Sequence, residues 1–234
     1  MTRVRAVTFD AAGTLFAPAE PVGVTYARFA ADHRIPLDTA GLGTRFRAAL
    51  ASAPPLAFGP LDETARTAHE RGWWYRLVRR VFGPAARHPA FEACFRQLYA
   101  YYAEPRAWQV FPDAVPALER LRARRLRLAV VSNFDGRLPA LLAGLGLESL
   151  LDAALFSSAI GSAKPAPAIF HAAAAALGAA PPATLHAGDD PHADVEGALA
   201  AGSTAVLVDR AGHRPPLPTG ARAIATLAEL DALV

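Results

Sequence analysis

Cysteine, lysine and long apolar runs are all scarce in this sequence, and each scarcity excludes a class of protein. Cys94 is the only cysteine among 234 residues, so no disulfide can form within the chain and a reducing compartment is expected. No uninterrupted apolar run reaches the ~18 residues of a membrane-spanning helix. The first apolar run already starts at Val4, which leaves no room for a secretory leader. We therefore expect a cytoplasmic protein with no membrane partner.

Almost all of the positive charge comes from arginine. Lys164 is the single lysine among 24 basic side chains, and the formal net charge is +3. A basic run at residues 120–127 raises the question of nucleic-acid binding. Its interleaved leucine and alanine residues give it a helical period, and no aromatic residues accompany it to stack on bases. The run is better explained as a helix end, where cations complement the helix dipole, and no nucleic-acid partner is predicted.

Apolar segments are plentiful, since hydrophobic residues make up 53% of the chain. From Val110 onward, short apolar runs typical of buried strands alternate with segments of helical period. Together with the first apolar run, this alternation predicts an α/β fold with a doubly wound, Rossmann-like parallel sheet. The expected strands are residues 4–9, 126–131, 153–157, 184–187, 204–208 and 222–225, and the expected helices are residues 113–124, 138–145, 167–177 and 194–201.

The segment between the first expected strand and Val110 has a different character, because it shows helical periods and no strand pattern. Its amphipathic stretches are residues 26–31, 44–50, 72–82 and 91–102. We therefore predict an α/β core formed by residues 1–16 and 109–234, with residues 17–108 inserted as an α-helical cap. An insertion after a strand overhangs the edge where α/β sheets bind ligands, so this cap is expected to act as a lid.

Polar side chains follow several of the expected strands, at the point where each strand ends. They are Asp10, Ser132, Asn133, Asp189 and Asp190, and Lys164 follows the expected strand 153–157 after a short loop, residues 158–163. Because parallel strands end at the same edge of a sheet, we expect a carboxylate, a hydroxyl, a cation and an acidic pair to meet in one crevice. Lys164 is notable in a chain that uses arginine elsewhere. A compact ammonium binds a phosphate or carboxylate as a point charge, where a broad guanidinium does not fit.

The order of these groups resembles the motifs of the haloacid dehalogenase-like hydrolase superfamily. Asp10 with Gly13 and Thr14 is similar to the first motif of that family, and the resemblance covers essentially the whole chain. The other three motifs are matched by Ser132-Asn133, by Lys164-Pro165, and by Gly188-Asp189-Asp190 with Asp194. The helical insertion resembles the cap that one large subgroup of the family carries after the first strand.

The resemblance implies a phosphatase that attacks phosphorus with Asp10 and forms an aspartyl-phosphate. It also implies that Asp194 orients Lys164, and that the substrate is a small phosphate ester or acyl phosphate. The implied ligands of Mg²⁺ are Asp10, the backbone carbonyl of Ala12, Asp189 and Asp190. The implied phosphate-binding residues are Ala11, Ala12, Thr14, Ser132, Asn133 and Lys164.

Position 12 departs from the family pattern. Most phosphatases of the family carry a second aspartate two residues after the nucleophile, where it protonates the leaving oxygen and later activates water. Ala12 does neither, and loss of a general acid–base group costs ~10²–10⁴ in rate. We therefore expect weak phosphatase activity. His192 is a candidate for activating water, although a histidine of a solvent-exposed loop is the simpler interpretation.

Three other functions use such a site without that second aspartate. A metal-independent 2-haloacid dehalogenase is one, because a halide leaves without a proton. Against it, the carboxylates of Asp189 and Asp190 would repel a carboxylate substrate. A non-catalytic protein that binds a phosphate ligand is another. Phosphonate cleavage, the third, is disfavoured because it needs a lysine in the cap, and Lys164 belongs to the expected core.

Overall fold

The computed structural model describes residues 3–213 and 216–234, and the chain forms two compact units. The first unit comprises Met1–Ala17, Leu56–Pro60 and Val110–Val234. The second, called the helical unit below, comprises Pro18–Pro55 and Leu61–Gln109. The short segment Leu56–Pro60 groups with the first unit, whereas the sequence assigned all of residues 17–108 to one insertion. Within the first unit, Ser157 Oγ donates to the carbonyl of Leu56 at 2.6 Å.

A parallel sheet forms the centre of the first unit. In the described part of the chain it has six strands, which are β1 (Ala6–Phe9), β4 (Arg127–Ser132), β5 (Ala153–Phe156), β6 (Thr184–Gly188), β7 (Thr204–Val208) and β8 (Arg222–Ile224). Their order across the sheet is β5-β4-β1-β6-β7-β8. A separate two-stranded sheet pairs β2 (Phe16–Pro18) with β3 (Trp108–Val110). The sequence did not predict this small sheet, because three-residue strands give no recognisable alternation.

Helices flank the six-stranded sheet, and the predicted α/β fold is confirmed. All four residues of β1 and all five of β6 are buried, as expected of parallel strands covered on both faces. On one face, Ile169, Phe170 and Ala173 pack in a cluster with Ala129 and Val131 of β4. The helices of this unit are α5 (Ala114–Ala123), α6 (Leu138–Gly144), α7 (Ser157–Ile160), α8 (Pro167–Ala176) and α9 (Gly197–Ala200), with a π-helical turn at Pro191–Glu196 and a 3₁₀ helix at Leu227–Ala232.

The helical unit contains four α-helices within the described residues, and its core is rich in aromatic side chains. Tyr26 packs against Phe46 and Phe82 with ring centroids 5.8 and 6.1 Å apart. Trp73 is buried, and its indole nitrogen donates to the carbonyl of Pro54 at 2.8 Å. The helices are α1 (Val22–Asp32), α2 (Leu42–Ala51), α3 (Glu63–Phe82) and α4 (Phe91–Tyr101). Among the described residues, no helix combines the length and apolar character needed to cross a membrane.

Helix α3 begins nine residues earlier than its apolar pattern predicts. Its N-terminal half is polar, so a search for apolar periodicity finds only residues 72–82. The missed signal is a capping residue: the carboxylate of Asp62 accepts a hydrogen bond from the backbone N–H of Ala65 at 2.8 Å. Glu63 follows in the first turn, where a negative charge complements the helix dipole.

Candidate active site

The register of the parallel strands brings the polar residues at their ends to one edge of the sheet in the first unit. Phe9 of β1 lies opposite Val130 of β4 and opposite Ala187 of β6. Asp10 comes directly after β1, and its backbone N–H continues the ladder by donating to the carbonyl of Ala187 at 2.9 Å. The ends of the three central strands therefore supply Asp10, Ser132 and Asp189 to the same edge. Ser132 is buried there as the last residue of β4.

A buried lysine lies between two buried carboxylates at this edge. Lys164 Nζ is 2.5 Å from Asp10 Oδ1 and 2.5 Å from Asp194 Oδ1. Burial opposes the charge of Lys164, but Asp10 and Asp194 outweigh burial and raise the pKa of Lys164 above its ordinary value. Burial likewise opposes the charge of Asp194, but Lys164 and His186 outweigh it and lower the pKa of Asp194. The ammonium and the Asp194 carboxylate therefore stay charged at neutral pH.

Three carboxylates form a compact acidic cluster around this ion pair. Asp10, Asp189 and Asp194 each offer an oxygen, and these oxygens all lie within 4.8 Å of one another. Asp189 has the most exposed side chain of the three. Loss of hydration in the crevice, followed by the charges of Asp10 and Asp194, raises the pKa of Asp189 to about 7. Burial also raises the pKa of Asp10. Like-charged groups at this spacing favour an added cation.

The loop after β1 approaches Asp189 closely, and glycine makes this approach possible. Gly13 has a φ of +105°, and a Cβ atom on it would lie 2.3 Å from Asp189 Oδ2. Both the backbone conformation and the space therefore require glycine. Thr14 Oγ1 then donates to Asp189 Oδ1 at 3.3 Å. Ala11 is buried in the same loop. Ala12 follows it, and its side chain carries no acidic or basic group.

Asn133 contacts the backbone of Lys164. Its amide nitrogen donates to the carbonyl of Lys164 at 2.9 Å, and its amide oxygen accepts from the Lys164 backbone N–H at 2.7 Å. This reciprocal pair determines the orientation of the amide and holds the loop that carries the ammonium. The sequence placed Asn133 among the phosphate-binding residues, whereas the geometry engages its side chain in positioning Lys164.

The side chains of Asp190 and His192 make their observed contacts outside the acidic cluster. Asp190 Oδ1 accepts from the backbone N–H groups of His192 and Ala193, each at 2.8 Å, and so caps the helical turn that follows. Direct metal binding by Asp190 stays a prediction. The ring of His192 is exposed, and its Nδ1 lies 2.7 Å from Glu196 Oε2. The interpretation of His192 as a surface histidine therefore accounts for its surroundings.

Behind the lysine lies a buried network that the sequence did not reveal. His186 Nε2 is 3.1 Å from Asp194 Oδ1, and His186 Nδ1 is 2.9 Å from Thr8 Oγ1. Burial lowers the pKa of His186, so the neutral ring donates to Asp194 from Nε2 and accepts from Thr8 at Nδ1. The backbone N–H of Asp190 donates to the second oxygen of Asp194 at 2.9 Å. The only sequence signal was a histidine inside the apolar run of β6.

A second network supports the loop that carries Thr14. Arg210 donates to the carbonyl of Thr14 at 2.8 Å and to both oxygens of Asp113 at 2.9 and 3.0 Å. Its guanidinium lies 3.9 Å from the ring centroid of Phe111. The two residues of the ion pair are far apart in sequence, and the spacing of motifs gave no indication of it.

Comparison with known proteins agrees with this arrangement. The family description "Hydrolase: haloacid dehalogenase-like hydrolase" matches residues 4–202. Haloacid dehalogenase-like hydrolase domain-containing protein 3 of Bos taurus is 37% identical over 219 residues, which cover 91% of this chain and 84% of that protein. A phosphoserine phosphatase of Thermus thermophilus is 39% identical over 123 residues, 51% of this chain and 48% of that protein.

Solved structures share the whole fold. A 2-haloacid dehalogenase from Pseudomonas syringae pv. Tomato DC3000 has 25% sequence identity and a TM-score of 0.64, covering 98% of this chain and 97% of that chain. The family match extends from before β1 to the turn after α9, and so includes every strand end of the candidate site. The chain therefore belongs to the haloacid dehalogenase-like hydrolase family.

Proposed function

We propose that this protein is a Mg²⁺-dependent hydrolase of the phosphatase type that uses Asp10 as its nucleophile. The observation that carries the proposal is the buried contact of 2.5 Å between Asp10 Oδ1 and Lys164 Nζ, inside a cluster of carboxylates. A carboxylate and a phosphate repel each other, so a site that brings them together needs positive charge. Lys164 supplies one such charge, and the surplus of carboxylates leaves room for a second.

The donor set fits a hard divalent cation. Mg²⁺ prefers oxygen ligands, and the cluster offers carboxylate oxygens within 4.8 Å of one another. Asp194 is already engaged by Lys164 and by His186. We therefore assign the metal to Asp10, to Asp189 and to the backbone carbonyl of Ala12. When bound, the ion would offset the repulsion between the nucleophile and the phosphate oxygens.

The residues of the site have complementary roles in this proposal. A carboxylate oxygen of Asp10 attacks phosphorus, the bond from phosphorus to the leaving oxygen breaks, and that oxygen keeps the bonding electron pair. Lys164, Ser132 and the backbone N–H groups of Ala11 and Ala12 hold the other phosphate oxygens. A water molecule then attacks phosphorus and loses a proton to the solvent. The bond from phosphorus to the Asp10 oxygen breaks, which releases inorganic phosphate and the free carboxylate of Asp10.

The substrate class follows from the lack of an acid at position 12. Ala12 cannot protonate a leaving oxygen, so groups that leave without a proton are favoured. We propose a small phosphate ester with an acidic leaving group, or an acyl phosphate. The name of the Thermus thermophilus relative, a phosphoserine phosphatase, supports the phosphatase class. A reducing, cytoplasmic setting is part of the proposal, because the one cysteine is buried and unpaired.

Hydrolysis of p-nitrophenyl phosphate tests the proposal. We expect slow release of nitrophenol that requires Mg²⁺, stops in EDTA, and is lost in the Asp10→Asn variant, which keeps the size of the side chain but not its charge. Arg122→Gln, at an exposed site on α5, is the matched control and should retain wild-type activity. Full activity in EDTA or in Asp10→Asn would contradict the assignment.

A metal-independent 2-haloacid dehalogenase is the second candidate, and Ala12 is the observation that favours it. A halide needs no proton on leaving, so alanine at this position is no disadvantage. Against it stands Asp189, whose carboxylate adds negative charge beside a site for an anionic substrate. Chloride release from 2-chloropropionate in EDTA would establish this second function in place of the first. Saturable phosphate binding without turnover of either substrate would indicate a non-catalytic binding protein.

A further inference from the structure

The helical unit carries a cavity lined by four arginines. It lies between the end of α3 and the 3₁₀ helix at Gly83–Arg87 and has a volume of about 570 Å³. We call it the arginine cavity. Its lining arginines are Arg76, Arg79, Arg80 and Arg87, and Gly83, Pro84 and Ala86 complete the wall. None of the residues proposed for catalysis belongs to this unit.

No carboxylate within the described residues forms an ion pair with any of these four arginines. Other arginines of the helical unit do have such partners, as in the contact of Arg71 with Glu92 at 3.3 Å. Arg80 is held by neutral groups, since it donates to the hydroxyl of Ser52 at 2.8 Å. The guanidinium of Arg79 lies 5.8 Å from the ring centroid of Tyr75. These contacts orient Arg79 and Arg80, and they leave all four arginines without a carboxylate partner among the described residues.

The helix dipole accounts for only part of this cluster. Arg79 and Arg80 lie in the last turn of α3, where cations are stabilising. Arg76 lies one turn earlier, and Arg87 belongs to the next element. Arg76 is also spaced i,i+3 and i,i+4 from Arg79 and Arg80, a spacing at which like charges destabilise a helix. All four arginines are exposed, so water screens their mutual repulsion. An anion bound in the concavity would offset the repulsion that remains.

We propose that the arginine cavity binds a small oligoanion that carries at least two linked phosphate groups. A volume of this size is typical of small-molecule sites. Guanidinium groups bind phosphate oxygens in a bidentate fork, and four of them match the charge of two or more phosphates. A nucleic acid strand is disfavoured because no aromatic side chain lines the cavity to stack on a base. This inference does not depend on the proposed catalytic function.

Titration calorimetry with tripolyphosphate tests the proposal on the full chain, in EDTA so that no turnover occurs. We expect saturable binding by the wild type and a weaker response to inorganic phosphate. Arg76→Gln/Arg87→Gln removes two cations of the cavity that make no hydrogen bond or ion pair within the described residues. This variant should bind tripolyphosphate at least about tenfold more weakly, because two charge-assisted contacts are lost.

The matched control is Arg47→Gln/Arg96→Gln, which removes two exposed arginines from α2 and α4 of the same unit. It should keep the wild-type affinity for tripolyphosphate. An equal loss of affinity in both variants would show that net charge, and not the cavity, determines binding, and would overturn the proposal. Unchanged binding in the cavity variant would place the anion elsewhere. Equal affinity for phosphate and tripolyphosphate, or tighter binding of a single-stranded oligonucleotide, would also overturn the assignment. Activity on p-nitrophenyl phosphate should be the same in all three proteins. The binding proposal and the catalytic proposal can therefore be contradicted separately.

Discussion

At the scale of a single residue, Ala12 separates the binding capacity of the site from its capacity for turnover. In the proposed function, binding of phosphate and metal depends on charges that the site retains in Asp10, Lys164 and Asp189. Proton transfer to the leaving oxygen depends on a group that position 12 does not supply. A change at this one position therefore tests the catalytic proposal without disturbing the ion pair behind it.

The Ala12→Asp variant is expected to hydrolyse p-nitrophenyl phosphate faster than the wild type. A general acid–base group contributes ~10²–10⁴ in rate when it is well placed. Because the new side chain has no surroundings adapted to it, we expect a gain of about tenfold, seen in kcat at saturating Mg²⁺. Ala12→Asn has nearly the same size and no proton to transfer, so it is the matched control and should show no gain. Equal rates for the two variants would contradict the role assigned to this position.

At the scale of secondary-structure elements, Arg210 connects the end of β7 to the loop after β1. It holds the carbonyl of Thr14, and Thr14 in turn donates to Asp189. Asp113 precedes α5 and anchors the guanidinium through both of its oxygens. Hydrogen bonds from Arg210 and Thr226 outweigh burial and lower the pKa of Asp113. Arg210 thus acts on the proposed metal site through Thr14, as a positioning residue.

Replacement of Arg210 by Gln should lower kcat/KM by about 10- to 100-fold, in the range seen for residues that orient metal ligands. The Mg²⁺ concentration for half-maximal activity should rise, because Asp189 loses its support. Arg210→Lys keeps the charge but not the fork, and we expect it to restore only part of the activity. Arg120→Gln removes a different ion pair of the same unit, with Asp231. It should leave the Mg²⁺ dependence unchanged, and a shift of equal size would show that Arg210 contributes stability alone.

The strand-end residues of the site and the Arg210 network differ in how far the sequence allowed us to predict them. Asp10 and Asp189 directly follow strands, and Ser132 ends one. These strands pair in register, so local patterns predict that the three residues meet at one edge. The contact between Arg210 and Asp113 joins residues 97 positions apart and follows no period. The role of His186 was missed because it lies within an apolar run, which predicts a buried strand and gives no sign of a polar network. Asp190 was assigned to the metal because Gly188-Asp189-Asp190 resembles the fourth motif of the family. One of its oxygens caps a helical turn, and metal binding by Asp190 stays a prediction.

At the scale of the whole molecule, buried groups of the two units differ in the pH range over which they titrate. The first unit buries Lys164 and Asp194 as charged partners, and these contacts keep the lysine protonated well into alkaline solution. In the helical unit, the buried Cys94 and the partly buried Tyr102 are neutral at pH 7. Burial raises the pKa of Cys94 to about 11 and that of Tyr102 to about 12. Alkaline pH should therefore act on the stability of the helical unit before it reaches the ion pair of the first unit.

The free energy of unfolding is expected to fall as the pH rises from about 9 towards about 11. The pKa of Cys94 is raised in the folded chain from an ordinary value of 9.0, first by burial and then by the charge of Asp32. Its contribution is complete below the pKa of the unfolded chain and is lost as the pH approaches the folded value. Denaturant unfolding at a series of pH values measures this slope. The Cys94→Ala variant should be less stable throughout, because a small cavity replaces the thiol, but its slope should be shallower; parallel curves would show that the thiol does not titrate on unfolding.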